Sequence, residues 1–169
     1  MAGNKYIKNN AGVLTEIAAL QTSTGAGDAG KIVALDTAGR LDNSFMPVGI
    51  GADTASIVAS EALNAGDYVN VYDDTGTAKV RKADATTAGK EAHGFVLSAV
   101  SSAALATVYF EGTNTAITGQ TAGVVYLATT AGVGSITPPS AAGNVVQRIG
   151  FAVSATAMNF TSNQPIVLA

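Results

Sequence analysis

From Gly51 onward, apolar and polar residues alternate in short runs, with turn residues interrupting them every 8 to 12 positions or so. Period-2 alternation over a few residues predicts half-buried strands, and many such runs in series predict a sandwich or barrel of short antiparallel strands. The expected strands are ASIVAS from Ala55, DYVNVY from Asp67, TAKVRKA from Thr77, HGFVLSAV from His93 and LATVYFEG from Leu105. They continue with GVVYLATT from Gly123, GSITP from Gly134, NVVQRIGFAVSA from Asn144, AMNF from Ala157 and PIVLA from Pro165. DDTG at Asp73 and TTAG at Thr129 fall where hairpin turns are required.

The first fifty residues follow a different pattern. Val13, Leu14, Ile17 and Leu20 have helical spacing, but Val13, Thr15 and Ile17 also alternate, and the NNAG before them is a turn signal. Asn and Gly supply the positive φ that a tight turn needs, which favours a hairpin over a short amphipathic helix. QTSTGAGDAG has no apolar period and reads as a loop. A strand over residues 31–35, a DTAG turn, and a single helical turn capped by Asp42 or Asn43 and stopped by Pro47 complete the segment. The chain therefore divides into an extended arm over residues 1–50 and a β-domain over 51–169.

Within the β-domain the chain nearly repeats itself. GFVLSAVSS begins at Gly94 and GFAVSATAM at Gly150. AGDYVNVYDDTG from Ala65 parallels AGVVYLATTAG from Ala122, and another AG precedes each GF segment at Ala88 and Ala142. The changing offset fits two copies of one β-unit, about residues 65–112 and 122–160, with loop insertions between strands. Phe95, Leu97 and Ala99 are assigned to the core and Val96 and Ser98 to the opposite face, with Phe151, Val153 and Ala155 as their counterparts. Phe95 and Phe151 are then matching core anchors, and Gly94 and Gly150 mark close backbone approach.

Composition narrows what such a domain can be. Apolar residues make up 47% of the chain but aromatics only 6%, so the core is built mainly of Ala and Val. Charged residues are 12%, about half the usual share of a globular chain, which suggests a protein packed against others. With nine Lys+Arg against twelve Asp+Glu, a net charge of -3 argues against nucleic acid as a partner, because backbone binding needs a basic stripe. There is no cysteine, no signal-peptide pattern and no apolar run of spanning length, so a soluble chain made in the cytoplasm, without a membrane partner, is expected.

Candidate chemistry is sparse. His93 is the only histidine, with no nucleophile motif beside it, and reads as a strand-edge or interface residue. Asp73 and Asp74 belong to a turn, and Glu61, Asp67, Asp84 and Glu111 are scattered, so neither a carboxylate pair nor an oxygen-ligand metal loop emerges. GAGDAGK lacks phosphate-loop spacing because Ile32 follows Lys31. Lys79, Arg81 and Lys82 are the one basic cluster, read as a solvated strand edge before an acidic-partner site. No catalytic residue, metal site or cofactor is expected.

The run GAGDAGKIVALDTAGRLDNSFMPVGIGADT resembles the N-terminal arms of tailed-bacteriophage virion proteins. The stretch from GFVLSAVSS to AMNF is similar to a β-rich module of phage structural proteins, including capsid decoration (cement) proteins, head fibres and tail-fibre segments. The resemblance spans about Lys5 to Phe160. It implies a non-enzymatic, symmetric oligomer, most often a homotrimer, made in the host cytoplasm and bound to the major capsid protein on the outer capsid surface of the virion. Ile32, Leu35, Leu41, Phe45 and Met46 are the candidate capsid or subunit contacts. The alternative is a tail-fibre, head-fibre or baseplate component binding host glycan through Tyr68, Tyr72, Tyr109 or Tyr126, and an enzymatic depolymerase would require a converging acidic pair.

Overall fold

A computed structural model describes residues 5–46 and 52–169. The fold divides into two compact units, Met1–Gly51 and Ala52–Ala169. In the first, β1 (Lys5–Asn10) and β2 (Val13–Ala18) form an antiparallel hairpin in register from Lys5↔Ala18 to Asn10↔Val13. Ala11 and Gly12 both have positive φ, 52° and 91°, the geometry of a two-residue turn that matches strand twist. Asn9 Oδ1 accepts from the Gly12 N–H at 2.8 Å. Alternation, not helical spacing, decides this segment.

The rest of the arm is held by carboxylates that close turns on the backbone. Asp28 accepts from the Thr24 N–H at 2.7 Å and the Thr24 hydroxyl at 2.9 Å, and pairs with Lys31 at 2.7 Å. The Lys31 ammonium and the Thr24 donors hold its carboxyl down, to about 2. Asp36 Oδ1 accepts from the Ala38 and Arg40 N–H groups at 2.8 Å each, and Asp42 caps the 3-10 turn Asn43–Phe45 through the Ser44 N–H at 2.9 Å. The strand expected over residues 31–35 is reduced to one parallel bridge, Leu20↔Val33, because no further partner strand lies alongside it. The expected stop at Pro47 lies outside the described residues.

The second unit begins with a closed barrel. Strands β3 (Thr54–Ala59), β4 (Tyr68–Asp74), β5 (Thr77–Lys82), β6 (Gly94–Phe95) and β7 (Leu105–Tyr109) close in the order β3-β5-β4-β6-β7. All pairs are antiparallel except β3 with β5, which is parallel and closes the ring. The turn at Thr75 and Gly76 again has two positive φ values, 54° and 86°. Ala59, Leu63, Val69, Val80, Val96, Ala106 and Val108 fill the interior. Five strands leave a narrow lumen, so small side chains suit it, and this explains a core rich in Ala and Val.

An open sheet follows, formed by β8 (Glu111–Asn114), β9 (Gly123–Leu127), β10 (Gly134–Ser135), β12 (Arg148–Ser154) and β13 (Ala157–Thr161). Its order is β10-β9-β12-β13-β8, and β11 (Val145–Val146) pairs separately with β14 (Ile166–Val167). The protein is thus all-β. Its inward residues Val125, Leu127, Ile149, Ala152, Met158 and Phe160 pack against Tyr68, Phe95, Ala83, Ala85 and Ala92 of the barrel unit. Phe95 lies 5.4 Å from Tyr109 in a stacked pair and 5.7 Å from Phe160 edge-on, and Tyr68 stacks on Phe160 at 5.9 Å.

The two β-units share one topology. The open sheet read as β8-β13-β12-β9-β10 matches the barrel read as β3-β7-β6-β4-β5, strand for strand, except that β8 and β10 do not join. Val69↔Gly94 and Tyr68↔Phe95 in the barrel correspond to Val125↔Gly150 and Val124↔Phe151 in the sheet. A Cβ on Gly94 would lie 2.5 Å from the Tyr109 carbonyl oxygen, and one on Gly150 would lie 2.0 Å from that of Asn159. The glycines are equivalent and permit the same close approach. The duplication is real at the level of strand order and register.

The expected equivalence of the two phenylalanines as core anchors fails. Phe95 is 1% exposed and Phe151 is 41% exposed. Both lie on the outer face of their unit, but the barrel's outer face is covered by the sheet, whereas nothing among the described residues buries the sheet's outer face. Val153 is exposed for the same reason, whereas Ala155, in the turn after β12, and Ala99, beyond the end of β6, are exposed because they lie outside the strands. Val96, assigned to the non-core face, is buried in the barrel lumen, because a strand between two packed layers has no solvent side. The strand expected from His93 shrinks to Gly94–Phe95, with only the bridge Leu63↔Val100 beyond it.

Candidate functional surfaces

Most titratable residues of the β-domain are taken up by the fold. Asp67 pairs with Lys82 at 3.3 Å and accepts from the Asn64 N–H at 2.8 Å. Asp74 pairs with Lys79 at 2.5 Å, and Asp73 accepts from the Gly76 N–H at 3.2 Å in the hairpin turn. Glu61 accepts from the Lys82 N–H at 2.8 Å. Burial would raise the Asp84 carboxyl, but the Thr86 hydroxyl and N–H and the Lys90 ammonium outweigh it and hold it below its ordinary value. Among the described residues, no three His, Cys, Asp or Glu side chains converge as a metal site would require.

His93 accepts from the Val71 N–H through Nδ1 at 3.1 Å, so its ring continues the β4 hydrogen-bond ladder and its proton sits on Nε2. The basic cluster is not on a strand edge, since β5 has partners on both sides. Arg81 donates to Asn70 Oδ1 at 3.1 Å and to the Gly89 carbonyl at 2.8 Å, and its guanidinium lies 4.3 Å from the Tyr72 ring centroid. With Lys79 and Lys82 paired, the cluster is committed within the chain. GAGDAGK closes around Asp28, which occupies the Lys31 ammonium that a phosphate would need.

The tyrosines proposed as a glycan platform are spread over different environments. Tyr68 is buried, with its hydroxyl donating to the Met158 sulfur, and burial pushes its phenol well above the ordinary range. Tyr109 is stacked on Phe95 and Tyr72 lies under Arg81. Tyr126, half-buried, pairs across the open sheet with Arg148.

The arm places its candidate contact residues differently. Ile32 and Leu35 are 53% and 52% exposed, Leu41 and Met46 are 43% and 41% exposed, and Phe45 is half-buried. They extend from a segment that carboxylate-closed turns hold in shape: Asp28, Asp36 and Asp42 each fix the backbone within four residues. Such a segment presents apolar side chains without having to order them on contact, which lowers the entropic cost of docking.

One structural residue had no signature in the sequence. Gln147, buried between β11 and β12, accepts from the Ala92 N–H at 2.8 Å and donates to the Ala92 carbonyl at 2.9 Å, as a neighbouring strand would. It also reaches the Asn163 carbonyl at 3.2 Å, tying the C-terminal segment to the barrel unit. Gln147→Leu keeps the volume but orphans the buried Ala92 N–H, so a loss of about 2 kcal/mol of unfolding free energy is expected in urea titration. An unchanged midpoint would show the amide to be dispensable. Asn114 has a similar role, donating to the Gly66 carbonyl at 2.9 Å from a fully buried position.

No helix among the described residues is long and apolar enough to cross a membrane. No protein-family model, curated protein or solved structure matches the chain.

Proposed function

We propose that the chain is a non-enzymatic structural protein of a tailed-phage particle, which binds the major capsid protein on the outer capsid as a symmetric oligomer and reinforces the shell. The observation that carries this reading is the arm, where Ile32, Leu35, Leu41 and Met46 stay exposed on turns already closed by Asp28, Asp36 and Asp42. Apolar side chains presented in this way gain about 25 cal/mol for each Å² they bury against a partner. Repeated over a symmetric shell, even a modest gain per copy accumulates through avidity.

The β-domain supports the same reading, since most of its carboxylates are held by backbone N–H groups or lysines and no three converge among the described residues. The glycan-binding alternative draws less support, because Tyr68 and Tyr109 are packed in the core region and Tyr72 is covered by Arg81. The test is to add purified protein to shells assembled without it and follow their thermal disruption. Wild type is expected to raise the disruption temperature, and an Ile32→Ser/Leu35→Ser/Met46→Ser variant is expected to fold but protect poorly. Equal protection by the variant, or none by wild type, would overturn the proposal.

A further inference from the structure

We propose that the outer face of the open sheet is a two-fold self-association surface, on which a second copy of this chain seats the same face. This goes beyond the capsid reading and concerns the purified protein alone, so the two can fail separately. It also differs from the three-fold association that the resemblance implies.

The internal duplication supplies the first argument. In the barrel, the cross-strand row Tyr68–Phe95–Tyr109 lies on the outer face and is covered by the second unit. The corresponding row of the open sheet is Val124–Phe151–Asn159, in the same register on the same face. Its apolar members Val124 and Phe151 remain open, 39% and 41% exposed, as does Val153 two residues further along β12, 56% exposed. An antiparallel sheet with one solvated face ordinarily places polar residues there. This unit keeps a Phe and two Val on its open face, where its sister unit packs against a β-sheet.

Charge placement supplies the second argument and identifies the occupant. The face carries two charged side chains of opposite sign, Arg148 on β12 and Glu111 on β8, and neither forms an ion pair among the described residues. Strands β12 and β8 flank β13. Glu111 pairs with Thr161, and Gly150 pairs with Phe160, so Glu111 lies in the row of Ile149, one residue from Arg148. A two-fold axis along β13 therefore lays β12 of one copy over β8 of the other. It brings Arg148 opposite Glu111 of the second copy, and symmetry makes the contact twice. The face is complementary to itself.

Its size sets the strength. With the axis along β13, the strands that face one another are β12, β13 and β8, and three strands about 4.8 Å apart with about five residues each give roughly 240 Å² per copy. That is about a third of a standard interface, so a weak dimer with a dissociation constant of about 0.1–1 mM is expected. On a particle, neighbouring copies would multiply it.

The test is sedimentation equilibrium of the full-length protein across that concentration range, with circular dichroism melting to verify each variant's fold. Wild type is expected to reach a dimer. Arg148→Glu and Glu111→Arg are each expected to weaken dimerisation about tenfold, and the double swap to restore it to within about threefold. Phe151→Ser should weaken it without lowering the melting temperature. A wild-type protein that stays monomeric, as it would if another segment of the chain covered this face, overturns the proposal. So does a trimer, insensitivity to the single reversals, or a double swap as weak as the singles.

Discussion

Phe95→Ala is expected to cost about 3–5 kcal/mol of unfolding free energy, and Phe151→Ala less than about 1 kcal/mol, although the two side chains occupy the same place in the repeated unit. Phe95 stacks on Tyr109, meets Phe160 edge-on and is closed off by the second sheet, so its removal leaves a cavity that its neighbours cannot fill. Phe151 already faces outward at 41% exposure, and truncating it mainly removes apolar surface from water. Measurement at low protein concentration keeps self-association out of the comparison. Guanidinium unfolding of both variants decides the point. Comparable losses at the two positions would mean that the outer face of the sheet is buried in the monomer.

Gly150→Ala is expected to be at least as damaging, costing more than about 3 kcal/mol or preventing accumulation of folded protein. Two causes act together. The residue has φ of 135°, where a side chain is strained, and an added Cβ would sit 2.0 Å from the Asn159 carbonyl oxygen. Relieving that contact requires β12 and β13 to separate, which breaks the pairing that positions Met158 and Phe160 in the core. Gly94→Ala should cost a similar amount through the Tyr109 carbonyl at 2.5 Å and the Val108 methyl at 2.7 Å. Gly143→Ala is the control: φ is 80° there but nothing lies within 4 Å of the new Cβ, so a loss of about 1 kcal/mol is expected. Thermal melts of the three proteins would separate collision from backbone strain. A Gly150→Ala protein no worse than Gly143→Ala would remove close approach as the reason for the glycine.

Both predictions come from a duplication that was legible in sequence, and their asymmetry shows where that legibility stopped. Local rules found most strands, because alternation and turn residues act within a few positions. They also point to the Asn-Asn-Ala-Gly hairpin and narrow the cap to Asp42 or Asn43, of which Asp42 makes it, and both features depend on neighbouring backbone. The strand over residues 31–35 and the long strand from His93 failed because a strand needs a partner, and partners are set by distant segments. Gln147 could not be singled out, since its role is to substitute for a strand next to Ala92, 55 residues away in sequence. The basic cluster lies off the expected edge for a related reason: β5 becomes interior only when β3 closes the ring in parallel.

The all-β character, the near-repeat and the glycines that allow two strands to approach can be read from the chain alone. These follow from side-chain periodicity and backbone permissiveness, which are properties of short stretches of chain. Tertiary structure decided which face of each repeat is inside. The barrel closes on its Val and Ala side and the open sheet covers its outer side, while Val124, Phe151 and Val153 on the outer side of the sheet stay exposed. Burial depends on what stands opposite a side chain, so Phe95 and Phe151 share a motif and a register but not an environment.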